Sequence, residues 1–235
     1  MAKGKVTAAD RRLDADLWII AIVSVIVLAT YMAFQSQILA VGKNDSINVL
    51  LRVGLGAAFQ FGLAGLGVII VCIMRKEPFT IHGLQAEGTV RSIAWSLLCF
   101  VPYIVSAVAT GNVRSYLPFQ SVLTTRDVLA SGFPTNVVGI LITAVAWGFF
   151  EAFTYVVIAD KINTRFPTRN RWLNWGAIIG AVFCILIHGA VGVTAESVIE
   201  MIAITVIIYG MILVKTCTHN AWGPIFIFLF LWNAF

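Results

Sequence analysis

The sequence predicts an all-α fold, a polytopic membrane bundle of about seven transmembrane helices with a cytoplasmic N-terminus. Of its 235 residues, 60% are hydrophobic and only 11% are charged. Because a water-soluble domain usually carries about 25% charged residues, this composition excludes an ordinary soluble protein. Several apolar runs approach the ~20 residues that a helix needs to cross a bilayer. We therefore expect a multi-pass protein of the cell membrane, with lipid as its main partner.

The apolar runs define the predicted helices and the domain organisation. They cover residues 17–37, 49–74, 92–110, 137–158, 172–193, 198–214 and 221–235. Residues 1–16 form a basic cytoplasmic N-terminus, and residues 17–235 form a single membrane domain. The first run exceeds the ~7–15 residues of a signal-peptide core, so we expect it to remain as the first helix.

Basic residues predict the orientation, because Lys and Arg are retained on the cytoplasmic side of a membrane. With the N-terminus inside, the outer side holds only Lys43, Arg114 and Arg126, while Arg52 near the outer end of the second run is expected to snorkel. The inner segments hold Lys3, Lys5, Arg11, Arg12, Arg75, Lys76, Arg91, Lys161, Arg165, Arg169, Arg171 and Lys215. The net charge of +5 therefore reports topology, and no nucleic-acid partner is expected.

Three polar residues interrupt the apolar runs: Glu151, His188 and Asn233. A charge at mid-bilayer costs ~2.5–3.5 kcal/mol, so an ionisable residue there indicates a functional site. At ~1.5 Å of rise per residue, the three lie ~16, ~21 and ~20 Å from the cytoplasmic ends of their helices. The sequence therefore predicts that a carboxylate, an imidazole and a carboxamide reach nearly the same depth.

These groups allow three interpretations. A Glu facing a His can hold and deprotonate a water, while an Asn amide can donate to a developing oxyanion, which together make a minimal hydrolytic site. The pair Glu151 and His188 is equally compatible with a buried polar contact that ties two helices together, or with a proton-relay site of a transporter.

No metal or cofactor is expected at this site, because a zinc site would need a third ligand at matching depth. His82 and His219 fall in inner loops, where we expect them to be solvated. The four cysteines, which lie within or beside apolar runs, show no zinc-type pairing and are expected to be small buried side chains. They are Cys72, Cys99, Cys184 and Cys217.

The order of the three polar residues resembles the CPBP (Abi) family, which includes the type II CAAX prenyl proteases. That family carries a Glu-Glu-x-x-x-Arg motif, then Phe-x-x-x-His, then His-x-x-x-Asn, each on its own membrane helix. The resemblance covers residues 137–235. It implies that Glu151 acts as general base on a water, that His188 holds that water, and that Asn233 stabilises the oxyanion.

The chain departs from the family pattern at several motif positions. Ala152 replaces the second Glu, and Val156 the Arg, when Glu151 is aligned with the first Glu; Tyr155 then takes the place of an aromatic residue. Cys184 replaces the Phe of the second motif, and Leu229 the His of the third. The resemblance implies an intramembrane endopeptidase acting on a peptide or membrane-protein substrate. The alternative is a catalytically impaired pseudoprotease that serves as a membrane binding or bacteriocin-immunity protein.

Overall fold

The computed structural model describes residues 6–109, 115–170, 172–189 and 195–235, without the side chains at 106, 107, 109, 187–189 and 195–201. All regular secondary structure in these ranges is helical, as predicted. The α-helices are α1 (Ala8–Gly42), α2 (Val49–Phe61), α3 (Gly67–Arg75), α4 (Thr89–Ala109), α5 (Thr125–Ala130), α6 (Thr135–Thr143), α7 (Glu151–Arg165), α8 (Trp175–Gly189), α9 (Ala195–Thr218) and α10 (Trp222–Phe230).

Three helical stretches in these ranges are long and apolar enough to cross a membrane. They are Ala8–Gly42, Val49–Arg75 and Thr135–Arg165, with mean hydropathies of 2.5, 2.2 and 1.8. The other predicted runs contain the shorter helices α4, α8, α9 and α10. Helix α10 rises only ~14 Å, less than half of a hydrocarbon core.

Two of the long stretches contain a π-helical segment. Gly62–Leu66 joins α2 to α3, and Ala144–Phe150 joins α6 to α7. In the first segment Ala64 leaves helical geometry, with φ −124° and ψ 30°. The carbonyls of Leu63 and Ala64 instead accept hydrogen bonds from Ser24 Oγ at 2.7 Å and Thr154 Oγ1 at 2.5 Å. The irregular backbone is thereby fastened to α1 and α7, and its polar groups remain satisfied.

Helix α7 lies at the centre of the bundle, and every residue from Glu151 to Ile162 except Asp160 is buried. Helix α8 packs closely against it through Gly176. A Cβ at Gly176 would lie 2.4 Å from the carbonyl oxygen of Ala159, so only glycine permits this approach. The absence of a side chain at Gly176 therefore sets the close spacing of α7 and α8.

Ion pairs gather the start of α1 and the ends of α3, α7 and α9 at one end of the bundle, which we call the charged end. Asp16 accepts hydrogen bonds from Arg75 at 2.7 Å and from Lys161 at 2.9 Å. Asp160 accepts another from Lys215. Segments that the basic-residue pattern assigns to one side of a membrane therefore lie together.

Arg52 occupies the opposite end, where the structure corrects an expectation. Its side chain does not snorkel to an exposed position, since it is only 5% exposed. Its Nη1 atom donates to the carbonyl of Gly42 at 3.2 Å, to Asp45 at 3.0 Å and to Asp127 at 2.9 Å. Neighbouring partners are available there, so the guanidinium is held between the end of α1 and α5.

Candidate functional site

Glu151 begins helix α7, directly after the π segment Ala144–Phe150, and is only 6% exposed. Its Oε2 atom accepts a hydrogen bond of 2.7 Å from Gln60 Nε2 on α2. A buried carboxyl group without a polar partner would be strongly destabilising, so this bond gives Glu151 a defined orientation. Among the described residues, this is the hydrogen bond that holds the carboxyl group.

The packing of α7 against α8 fixes their register. Asn163 Oδ1 accepts a hydrogen bond of 2.8 Å from the backbone nitrogen of Gly176. Two turns earlier on α7, the side chain of Tyr155 contacts that of Cys184, two turns later on α8. The two helices thus run antiparallel, and each step back along α7 is matched by a step forward along α8.

This register brings two of the predicted site residues to one level. Glu151 lies one turn before Tyr155, and His188 lies one turn after Cys184. With 3.6 residues per turn, the backbones at 151 and 188 therefore lie at the same height on neighbouring helices. The His188 side chain belongs to the part of the chain that the structure does not describe.

Asn233 follows α10 in a turn rather than lying on the helix itself. Its Oδ1 atom accepts a hydrogen bond of 2.8 Å from Ser121 Oγ, and its backbone oxygen accepts one of 3.2 Å from Ser121 N. Its Nδ2 atom is buried and has no partner among the described residues. The carboxamide is thus anchored by its oxygen.

A cavity of about 310 Å³ connects these elements. Gln60 and Asn233 both line it, together with Arg52, Ser121 and Trp147. Glu151 is not among the lining residues, but its hydrogen bond with Gln60 links it to the cavity. Because Arg52 marks the end opposite the charged end, the cavity lies on that side of the bundle. Asn233 and Gln60, the hydrogen-bond partner of Glu151, therefore line the same cavity.

The positions that depart from the family motifs are packed against apolar neighbours. Ala152 and Val156 are 1% and 0% exposed and belong to one hydrophobic core cluster with α8, α9 and α10. Leu229 lies against the π segment, where a Cβ on Gly148 would come within 2.4 Å of the Leu229 Cδ2 atom. Apolar packing thus replaces the polar groups of the motifs.

Gln60 is the site residue that our sequence reasoning missed. A polar amide in the middle of the second apolar run was the available signal. Neutral amides are much less costly in a bilayer than charges, so that signal is weaker than the one from Glu151.

The burial of His82 and the exposure of Cys217 also differ from what the sequence predicts. His82 is not solvated as expected but 4% exposed, because Asp160 lies 3.0 Å from its Nδ1 atom and holds the ring inside. All four cysteines are free; Cys72 and Cys184 are buried as expected, Cys99 is half-buried, and Cys217 is exposed.

No protein-family model matches the chain, and no curated protein or solved structure matches it. The site is therefore described by its own geometry. It has a buried carboxyl group held by the Gln60 amide, a histidine position level with it on the next helix, and, on the cavity that Gln60 lines, an Asn233 donor with no partner among the described residues.

Proposed function

We propose that the chain is a divergent intramembrane endopeptidase of the CPBP type. Glu151 activates a water, His188 orients it, and Asn233 stabilises the oxyanion. The observation that carries the proposal is the burial of Glu151 at the level of residue 188, with Gln60 linking it to a cavity where Asn233 Nδ2 has no partner among the described residues.

Each polar contact supports a step of the reaction. Gln60 holds one oxygen of Glu151 and leaves the other to accept a proton from water. The water oxygen attacks the peptide carbonyl, the Glu151 carboxylate takes its proton, and that proton passes to the leaving amine. Asn233 Nδ2 donates to the oxyanion that develops meanwhile, an interaction typically worth ~10²–10³ in rate.

The proposed topology has seven crossings with the N-terminus in the cytoplasm. It is supported by the gathering of four basic segments at the charged end. The cavity then lies toward the outer half of the membrane. We therefore propose that a peptide or membrane-protein substrate reaches Glu151 from the outer side, with no metal or cofactor taking part.

A second candidate function is that of a pseudoprotease, a membrane binding or immunity protein that keeps the fold without turnover. The packing of Ala152, Val156 and Leu229 favours it, because the motif positions that would support the carboxylate and the oxyanion are occupied by apolar side chains. The two candidates differ in one measurable quantity, peptide-bond cleavage.

Reconstituted protein in liposomes should be tested against a mixed peptide library, with Glu151→Gln and His188→Ala beside the wild type. The matched control is Glu87→Gln, which changes an exposed Glu in the loop before α4. We expect cleavage by the wild type and the control, and a loss of at least ~10²-fold in both site variants. Equal cleavage by all four proteins, or none by the wild type, would overturn the protease proposal.

A further inference from the structure

A second cluster of ligand-type side chains lies at the charged end, outside the site described above. One ligand atom each of Cys72, Glu77 and His82 lies within 4.8 Å of the others. Thiolate, carboxylate and imidazole are the groups that bind Zn²⁺ in proteins. The cluster is distant in sequence and in depth from Glu151, so it is independent of the proposed hydrolytic site.

The local backbone brings the three residues together. Helix α3 ends with Lys76 in the left-handed conformation, at φ 56°, and the backbone nitrogen of Glu77 donates to the Cys72 carbonyl at 2.9 Å. This is the hydrogen-bond pattern of a Schellman motif, which turns Glu77 back over Cys72. A 3₁₀ turn, Phe79–His82, then returns His82 to the same place.

The His82 ring is held in place by a carboxylate, as the imidazoles of many metal sites are. Its Nδ1 atom lies 3.0 Å from Asp160 Oδ2, and Asp160 is itself bonded by Lys215. A carboxylate beside one ring nitrogen, with the other nitrogen facing the ion, is the arrangement of carboxylate–histidine–zinc triads. The Nε2 atom is buried, lies 3.8 Å from Glu77 Oε2, and has no hydrogen-bond partner among the described residues.

Space for a further ligand lies beside the cluster. Glu77 and His82 line a polar cavity of about 510 Å³, together with Asp160, Lys161 and Lys215. Three protein ligands and one open position, filled by water, form the arrangement of many zinc sites. Lys161 donates to Glu77 Oε2 at 2.9 Å and to Asp16, so a metal at Glu77 would replace one of two contacts of the ammonium.

We propose that Cys72, Glu77 and His82 bind a Zn²⁺ ion at the charged end of the bundle. The Cys72 thiol gives up its proton to solvent on binding, so the ion is held by one thiolate, one carboxylate and one neutral imidazole. A soft thiolate ligand favours zinc over magnesium or calcium. The ion joins the end of α3 to the loop before α4.

Zinc content should be measured by mass spectrometry on full-length protein purified in detergent without chelators. We expect about one Zn²⁺ per chain, and a cobalt-exchanged sample should show a thiolate-to-cobalt charge-transfer band. A wild type with no bound zinc, or a cobalt sample without that band, would overturn the proposal without any variant.

Variants then assign the ligands. Cys72→Ser and His82→Ala should lose the metal, and Asp160→Asn, which changes the partner that His82 shares with Lys215, should weaken zinc binding by about 10–100-fold. The matched control is the double variant Cys217→Ser/His219→Ala, in which both residues are exposed. Retained zinc in Cys72→Ser and His82→Ala, or loss of zinc in the control alone, would contradict the assignment.

Discussion

The side chain of Gln60 donates a 2.7 Å hydrogen bond to Glu151, and this bond joins the two helical stretches that contain π segments. Gln60 lies just before the first segment and Glu151 just after the second. The ring of Phe61, directly before the first segment, also contacts that of Phe150 at the end of the second, with centroids 4.8 Å apart. Single turns of π helix occur frequently at functional sites, since they redirect side chains that a regular helix would place elsewhere.

Gln60→Leu should destabilise the protein, because it removes the donor and leaves a buried carboxyl oxygen unsatisfied. We expect a loss of about 1–3 kcal/mol, measured by thermal unfolding in detergent. Glu151→Gln should cost less, since an amide oxygen can still accept from Gln60. A Gln60→Leu protein as stable as the wild type would show that the bond does not form.

Gly176→Ala should disrupt the packing of α7 against α8, because the added methyl meets backbone atoms of Ala159 at 2.4–2.8 Å. Overpacking typically costs about 1–3 kcal/mol. Gly180→Ala, one turn later on the same helix, is the matched control, with no atom within 4 Å of the added carbon. It should be neutral or stabilising by up to about 1 kcal/mol.

The same pair of variants tests whether the α7–α8 register matters for activity. Cleavage in liposomes should fall for Gly176→Ala and remain at the wild-type rate for Gly180→Ala. If the two variants have the same stability and the same rate, the close contact at Gly176 is absent.

Asp16→Asn should destabilise the charged end, because the Asp16 side chain is 1% exposed and accepts from both Arg75 and Lys161. Removing one member of a buried ion pair typically costs about 3–5 kcal/mol. The double variant Asp16→Asn/Lys161→Met should recover part of the loss, since it no longer buries an ammonium that has lost one of its two carboxylate partners. Unfolding midpoints of the two single variants and the double variant form the test, and strictly additive losses would contradict the pairing.

Asn220 should be essential for joining the loop before α4 to α10. It is fully buried; its Nδ2 donates to the carbonyls of Gln85 and Glu87 at 2.8 Å, and its Oδ1 accepts from Trp222 N at 2.9 Å. Asn220→Leu leaves these backbone groups without hydrogen-bond partners, which costs about 1–3 kcal/mol of folding free energy for each group. We expect a lower unfolding midpoint and faster proteolysis of residues 83–89, and unchanged proteolysis would contradict this role.

Apolar run length predicted the helical fold well, because length and composition alone decide whether a segment can be a membrane helix. The matching heights of positions 151 and 188 could also be predicted, since counting residues from the turn between two antiparallel helices gives their relative height. Neither π segment was predicted; the irregular hydrogen bonds of the first depend on Ser24 and Thr154 from other helices.

The cluster at His82 was missed for a related reason. Its burial depends on the left-handed residue Lys76 and on Gly83 at φ 94°, which fold the loop back onto α7. Sequence patterning places such a residue in a loop, and only the tertiary contact with Asp160 shows that the loop is inside. Asn233 is likewise held beside its cavity by a hydrogen bond from Ser121, a partner 112 positions away in sequence.

The proposed hydrolysis uses a water activated by Glu151, and the origin of the oxygen in the cleaved product tests this most directly. Cleavage of the peptide library should be carried out in ¹⁸O-labelled water and the new carboxyl termini analysed by mass spectrometry. Wild-type protein should incorporate one labelled oxygen per cleaved bond, and Glu151→Gln should give no labelled product. Equal labelling by the Glu151→Gln variant, or cleavage products without label, would contradict the account.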